Sequence, residues 1–316
     1  TMTAMSFVSK AVSGTAIGVA AASAWSRFVV DHDLPLGDPV PADEVRSLPG
    51  PLGRVALYAA GMDLDPEPVL LVHSVNAAAS AYEMRPLFMH YRGERPTYAV
   101  DLPGYGHSSR AQVEHTPESM AAAVVGALDE IGPAHVVALS LGSEFAARAA
   151  IDYPDRVRSL TMISPTGLSS RSSTAEAQWL ESYFSVPIVG RVSFDLLATR
   201  TSIRWFLAKS FAGEPDAGLV EYAYLTAHQP AAEYAPAAFL SGRLFTSNAL
   251  NHLYAEVPCP IQVLYDTDPH TDFARLPELV GGAPDASAVR IPGTRGLPHF
   301  EQLDAVTAAL EAFWDS

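Results

Sequence analysis

The chain has a single cysteine, Cys259, among 316 residues. An intrachain disulfide and a cysteine-based metal cluster are both excluded. Positive charge is scarce as well: 20 Lys and Arg stand against 35 Asp and Glu, a formal charge of −15. No basic run concentrates that charge, so no nucleic-acid partner is expected, because phosphate binding needs a dense basic surface. Charged residues of either sign are only 17% of the chain against 48% hydrophobic, a core-rich globular composition slightly short of charge. Internal repeats and low-complexity tracts are absent. Behind Lys10, the stretch from Ala11 to Ala24 is mildly apolar, but it has no leucine and is broken by Ser13, Gly14, Thr15 and Gly18. It is too short and too rich in small residues for a transmembrane span. Ala22-Ser23-Ala24 has the small-x-small form of a signal-peptidase site. The preferred reading is an N-terminal helix packing on its own domain, on a subunit partner or on a membrane surface. The cysteine usage suits a cytoplasmic setting, which is the expected one.

What the chain does contain is a regular alternation. After a Pro-rich link from Leu34 to Pro51, Gly53 to Ala60 reads as a strand. Val69-Leu70-Leu71-Val72 and Thr97-Tyr98-Ala99-Val100 read as buried ones. Thr116 is a helix N-cap with Pro117 at the first helical position. Met120, Val124, Ala127, Leu128 and Ile131 mark one apolar face, which Gly132 ends. A strand from Val136, a helix ending before Pro154 and a strand from Val157 to Ile163 follow. Strands separated by helices imply a parallel sheet covered on both faces. From Gly167 to about Val257 the rhythm breaks into helical stretches rich in aromatics, among them Trp179, Tyr183, Phe184, Trp205, Phe206, Phe211, Tyr222, Tyr224, Phe239 and Phe245. Strands resume at Ile261–Tyr265 and Ala288–Ile291, before a closing helix with Leu303, Val306, Leu310 and Phe313 at helical spacing. The division expected is an N-terminal helical segment and link (1–50), an α/β core (51–165 and 259–316) and a helical insertion (166–258). Such an insertion reads as a lid over the carboxyl edge of the sheet, where open α/β folds bind ligands.

The segment Val136-Val137-Ala138-Leu139-Ser140-Leu141-Gly142-Ser143 carries the chemistry. An apolar strand stops at a serine with small residues two positions before and after it, then enters a helix of small residues. That is the strand–turn–helix context of a nucleophile elbow, whose tight turn leaves no room for side chains at the flanking positions. Ala138 stands where glycine is usual. A serine hydroxyl is a weak nucleophile and needs a base oriented by a carboxylate. His299, in Leu297-Pro298-His299-Phe300-Glu301 between the last strand and the last helix, is the base expected. His73 and His107 are read as structural. The carboxylate should follow the strand Ile261–Tyr265, where Asp268 is favoured and Asp266 is the alternative. Arg191, Arg200, Arg204 and Arg243 are open to a substrate carboxylate, with surface ion pairs as the plainer reading.

Taken in order, Val72-His73, Asp101-Leu102-Pro103-Gly104-Tyr105-Gly106-His107-Ser108, the Ser140 turn, Asp268-Pro269 and Pro298-His299-Phe300-Glu301 resemble the α/β-hydrolase superfamily of the capped serine hydrolase type. The similarity runs from about Gly53 to the C-terminus. It implies a mostly parallel sheet with helices on both faces and an inserted helical cap. It also implies a Ser-His-Asp catalytic triad with an acyl-enzyme, and an oxyanion hole from the backbone amides of Val75 and Leu141. Two departures stand out. Ser74 occupies a position where the family has glycine, and Asp266-Thr267-Asp268 is one residue shorter than the usual Gly-x-x-Asp. Serine rather than aspartate at position 140 argues against epoxide hydrolase and haloalkane dehalogenase chemistry. The function expected is hydrolysis of a small, mainly apolar carboxylic ester, as a serine esterase needing no metal and no cofactor. Carbon–carbon bond hydrolases, lactonases, thioesterases and cofactor-free haloperoxidases share the constellation. The rival class is a non-catalytic ligand-binding protein that keeps the fold.

Overall fold

The computed structural model describes residues 22–170, 187–283 and 285–316. Trp179, Tyr183 and Phe184, and the stretch before residue 22, lie outside the described residues. Eight strands form one sheet: β1 (Glu44–Gly50), β2 (Gly53–Ala60), β3 (Val69–Val72), β4 (Thr97–Val100), β5 (Ala134–Leu139), β6 (Val157–Ile163), β7 (Ile261–Tyr265) and β8 (Ala286–Arg290). Their spatial order is β1-β2-β4-β3-β5-β6-β7-β8. The β1–β2 and β2–β4 pairs are antiparallel, and every later pair is parallel. β3, β4 and β5 are buried along their whole length, as strands covered on both faces must be.

The two faces can be read residue by residue along β5. Val136 and Ala138 join a core with Val124 and Leu128 of α2 (Pro117–Ile131) and Phe145 of α3 (Gly142–Asp152). Val137 and Leu139 join the opposite core, with Leu87 and Phe88 of α1 (Arg85–Tyr91). Val306 and Leu310 of the final helix complete that second core. The expected start of α2 is present: Thr116 and Ser119 form a reciprocal capping box, with Pro117 behind the cap.

β1 differs from the sequence reading, which placed these residues in a Pro-rich link. It is an edge strand with mostly exposed, polar side chains, and its Pro49 is tolerated because an outer strand does not need every N–H. Without an apolar alternation it has no strand signature. Between β6 and β7 the described residues are helical, as expected: α4 (Pro187–Leu197), α5 (Arg200–Leu207), α6 (Ala217–Ala227), α7 (Tyr234–Leu240) and α8 (Ala249–His252). α9 (Leu276–Gly282), α10 (Pro298–Glu301) and α11 (Leu303–Trp314) complete the chain.

Residues 22–28 are helical, and this segment is fastened to α4. Ser26 Oγ donates to Asp195 of α4 at 2.5 Å, and His32 Nε2 lies 3.1 Å from the same buried carboxylate. Arg191 Nε is 3.1 Å from its other oxygen. Among the described residues no helix is long and apolar enough to cross a membrane.

Candidate active site

Ser140 follows the last residue of β5 with φ +50°, in the left-handed region that a non-glycine residue adopts only when its surroundings enforce it. Three hydrogen bonds supply that enforcement. The Ser140 amide donates to Ile163 O at 2.8 Å, the Ser143 amide to Ser140 O at 3.1 Å, and Ser143 Oγ to Ala138 O at 3.2 Å. Glycine at 142 is required by close approach: a Cβ there would lie 2.3 Å from His73 O. The tight turn expected from the small residues is therefore present. Ser140 Oγ makes no hydrogen bond among the described residues.

His73 and Asp101, at the carboxyl ends of β3 and β4, build the floor. His73 Nδ1 donates to Ser74 O, and the Leu102 amide donates to its Nε2 at 2.9 Å. This is the structural part expected of His73. His107 also has one, since its ring nitrogen Nε2 lies 3.0 Å from Gly37 O. Asp101, fully buried, accepts from Tyr58 Oη at 2.6 Å and from the amides of Ala81 and His107, each at 2.8 Å. Beside it, the loop from Ser74 to Ala78 closes around Glu83. Val75 and Leu141 are both buried, and the amides of both are without hydrogen-bond partners among the described residues.

His299 is fully buried at the second residue of α10. Its Nε2 is 2.6 Å from Glu83 O, and its Nδ1 has no partner among the described residues. Burial pushes the imidazole pKa down to about 4, against the opposing pull of the Glu83 hydrogen bond. The ring is neutral at pH 7. The hydrogen bonds expected from Ser140 to His299 and from His299 to an aspartate are not made. His299 Nε2 instead meets the Glu83 carbonyl, and neither aspartate reaches the ring.

Those partners separate the two aspartates. Asp266 is held by Arg290 Nε at 2.6 Å and by the amides of Gly293 and Thr294 at 2.8 and 3.2 Å. Burial raises its pKa, but Arg290 and the two amides outweigh this and hold it below the usual carboxylate range. Its oxygens are committed to bracing the loop after β8. Asp268 uses only Oδ1, which accepts from the His270 and Thr271 amides at 2.7 and 2.9 Å. Its Oδ2 faces Gly296, where a Cβ would lie 2.6 Å away. It therefore abuts the loop that leads into His299. Desolvation raises its pKa, against the opposing pull of the His270 amide.

The four arginines open to a substrate carboxylate all have protein partners: Arg191 with Asp195 and Glu233, Arg200 with Glu221, Arg204 with Glu214, and Arg243 with Glu114. The pairs of Arg200, Arg204 and Arg243 are exposed and fit the plainer reading, whereas Arg191 is held by two largely buried carboxylates. A cavity of about 440 Å³ between β7, α9 and β8 is lined by Tyr265, Phe273, Leu276 and Arg290 and includes none of Ser140, His299 and Asp268. Sequence reasoning missed Glu83, Asn76 and Glu144. Their only signal was a polar residue inside an otherwise apolar stretch, and that pattern does not say what the residue holds.

The family model described as the alpha/beta hydrolase family matches residues 69–309. A curated relative, the dihydrolipoyllysine-residue acetyltransferase component of the acetoin cleaving system of Cupriavidus necator, is 45% identical over 71 residues, which is 22% of this chain and 19% of that protein. The matched stretch thus spans about a fifth of that relative's length. A probable hydrolytic enzyme from Pseudomonas aeruginosa superposes with TM-score 0.72 at 16% identity, over 90% of this chain and 97% of that one. An enol-lactonase from Burkholderia xenovorans gives 0.67 at 16%, over 86% and 100%. At these identities the structural likeness speaks for the fold.

Proposed function

The chain belongs to the alpha/beta hydrolase family, and from that premise we propose that it is a serine hydrolase acting on a small, mainly apolar carboxylic ester or related acyl substrate. The observation that carries the reading is Ser140 itself: a serine held at φ +50°, its hydroxyl unbonded among the described residues, at the carboxyl end of a central parallel strand. Strain of this kind persists only where the surrounding structure enforces it, and it clusters at sites of chemistry.

In this reading Ser140 Oγ attacks the substrate carbonyl while its proton passes to His299. The carbonyl electron pair moves onto oxygen, where the amides of Val75 and Leu141 stabilise it. Collapse expels the leaving alkoxide, which takes the proton from His299, and water then repeats the sequence to release the acid. Asp268, beside the loop that carries His299, stabilises the imidazolium by its charge. Asp266, bound to Arg290 and two amides, is set aside as the acid. The sequence needs no metal or organic cofactor.

A fluorophosphonate should label Ser140 covalently, and p-nitrophenyl esters of increasing chain length should define the acyl pocket. Ser140→Ala should lose the label and about 10⁴-fold or more in kcat. An alanine variant as active as the parent overturns the assignment. One observation favours the rival, a ligand-binding protein without turnover: Ser140 and His299 are not hydrogen-bonded to each other. That reading requires a parent protein that neither labels nor turns over any ester of the series.

A further inference from the structure

Arg110 lies in the loop between β4 and α2 and is half-buried. It forms no ion pair among the described residues. Its Nη2 donates to Thr226 of α6, at 3.0 Å from Oγ1 and 3.5 Å from the carbonyl oxygen. The buried Nε has no acceptor among the described residues, and neither has Nη1. Three tyrosines stand near the guanidinium, but their hydroxyls serve other groups. Tyr58 donates to Asp101, Tyr105 to Asn76 O and Tyr222 to Gly37 O. Asp101 brings negative charge to this neighbourhood, yet its oxygens already accept from Tyr58 and from the amides of Ala81 and His107. Desolvation lowers the guanidinium pKa, opposed chiefly by the Asp101 charge, and the group stays protonated at neutral pH. A desolvated cation with unmet donors is costly until an anion completes it. The planar guanidinium fork suits a carboxylate in particular.

The neighbours of Arg110 also border the candidate site. Tyr105 Oη lies 3.2 Å from Asn76 O, one residue beyond Val75, and the Tyr105 ring meets His73 edge-on at 5.6 Å. On the other side, Thr226 stands on α6 between Ala223 and Ala227, and Ala78 packs against the apolar clusters that contain those two alanines. The same helix stacks Tyr222 on Tyr82 at 5.0 Å, and Tyr82 precedes Glu83, whose carbonyl meets His299. Arg110 is thus held between the loop after β4 and α6, both of which touch the segment 74–78. We propose that Arg110 determines substrate specificity at this site: its guanidinium takes a carboxylate on the part of the substrate away from the reacting carbonyl, so that the preferred ester is a monoanion. A mainly apolar chain then joins two polar ends, the ester at Ser140 and the carboxylate at Arg110. The Nη1 donors, left open by Thr226, are the ones offered to it. This inference rests on the reading of Ser140 as the nucleophile.

The test compares charged and neutral esters of matched length in the full chain. Monomethyl adipate and dimethyl adipate differ in one charge on the acyl side, and 4-acetoxybutanoate and its methyl ester differ in one on the alcohol side. The parent should favour the anionic member of at least one pair in kcat/KM by about 10-fold or more. Arg110→Gln should lower that ratio by about 10–100-fold, mainly through KM, the scale of a lost charge-assisted hydrogen bond. Arg110→Lys, which keeps the charge without the fork, should fall between the two. A parent that favours the neutral member of both pairs overturns the proposal, and so does a ratio that Arg110→Gln leaves unchanged. A role confined to joining the loop to α6 would slow charged and neutral esters alike. Stability gives a second reading. Arg110→Gln removes an unmet cation while keeping a donor for Thr226, so Tm should stay within about 3 °C of the parent. A collapse of Tm would mark Arg110 as a structural cation and overturn the proposal. A third readout does not depend on turnover. In Ser140→Ala, the favoured anionic ester should raise Tm more than its neutral counterpart does, and adding Arg110→Gln should abolish the difference. If the parent hydrolyses none of the esters, the hydrolase reading fails, while the thermal shifts with both anionic esters still decide whether Arg110 takes a carboxylate.

Discussion

A methyl group at position 142 would sit 2.3 Å from a main-chain oxygen of His73, so neither side of that contact can yield by a rotamer change. Gly142→Ala should therefore destabilise the protein by about 1–3 kcal/mol, the usual scale of overpacking, and should misplace Ser140. Thermal melting and fluorophosphonate labelling would both register the change. The two aspartates give a paired test at the same scale. Asp266→Asn weakens the bonds to Arg290, Gly293 and Thr294 and should lower Tm by several degrees, with kcat within about twofold. Asp268→Asn keeps an oxygen for the His270 and Thr271 amides. It should leave Tm nearly unchanged and lower kcat by about 10–100-fold, because a charge beside the base loop is lost. The reverse pattern would make Asp266 the catalytic carboxylate.

At the level of elements, α3 is tied to both ends of the stretch between β6 and β7 by one buried side chain. Glu144 of α3 accepts from Thr166 Oγ1, just after β6, and from the Thr246 amide at 2.7 Å, between α7 and α8. Burial raises its pKa, opposed by these donors. Glu144→Ala leaves the Thr246 amide without its acceptor and should cost about 1–3 kcal/mol, measured by urea unfolding. Glu144→Gln, which keeps an oxygen for that amide, should cost clearly less. Equal losses would mean that packing volume, not the hydrogen bond, is what this position supplies. On α4, Asp195 gathers Ser26, His32 and Arg191. A charge so enclosed joins the segment after residue 22 to α4, and neither stretch alone has a sequence pattern that would announce it.

Over the whole molecule, burial of histidine sets a pH window for stability. His299 and His135 both have pKa values lowered to about 4, mainly by desolvation. The unfolded chain takes up these protons near pH 6.5 and the folded chain only near 4, so stability falls as pH drops through that interval. Each group contributes up to about 3 kcal/mol of that fall. His115 and His228 are shifted down in the same direction by burial, so His135→Gln, which removes one of four contributions, should flatten part of the loss between about pH 6.5 and 4.5, read as the difference from the parent in urea unfolding. An unchanged slope would place the dependence elsewhere. Much of this architecture was legible in the chain itself. The apolar runs of β3 to β6, the Thr116-Pro117 helix start and the small residues around Ser140 are local signals, because period, capping and turn sterics act between residues close in sequence. By the same local logic, the elbow context and the loop before α11 singled out Ser140 and His299 as candidates for the chemistry. β1 was hidden because an exposed edge strand shows no apolar alternation. What only the tertiary structure decided is what each polar group touches: Glu83 O against a ring 216 positions away, Asp266 against Arg290, Glu144 against Thr246. Partnerships of this kind depend on which loops meet at the carboxyl edge of the sheet, and hydrophobic periodicity fixes where a strand lies without fixing which donor faces which acceptor across it.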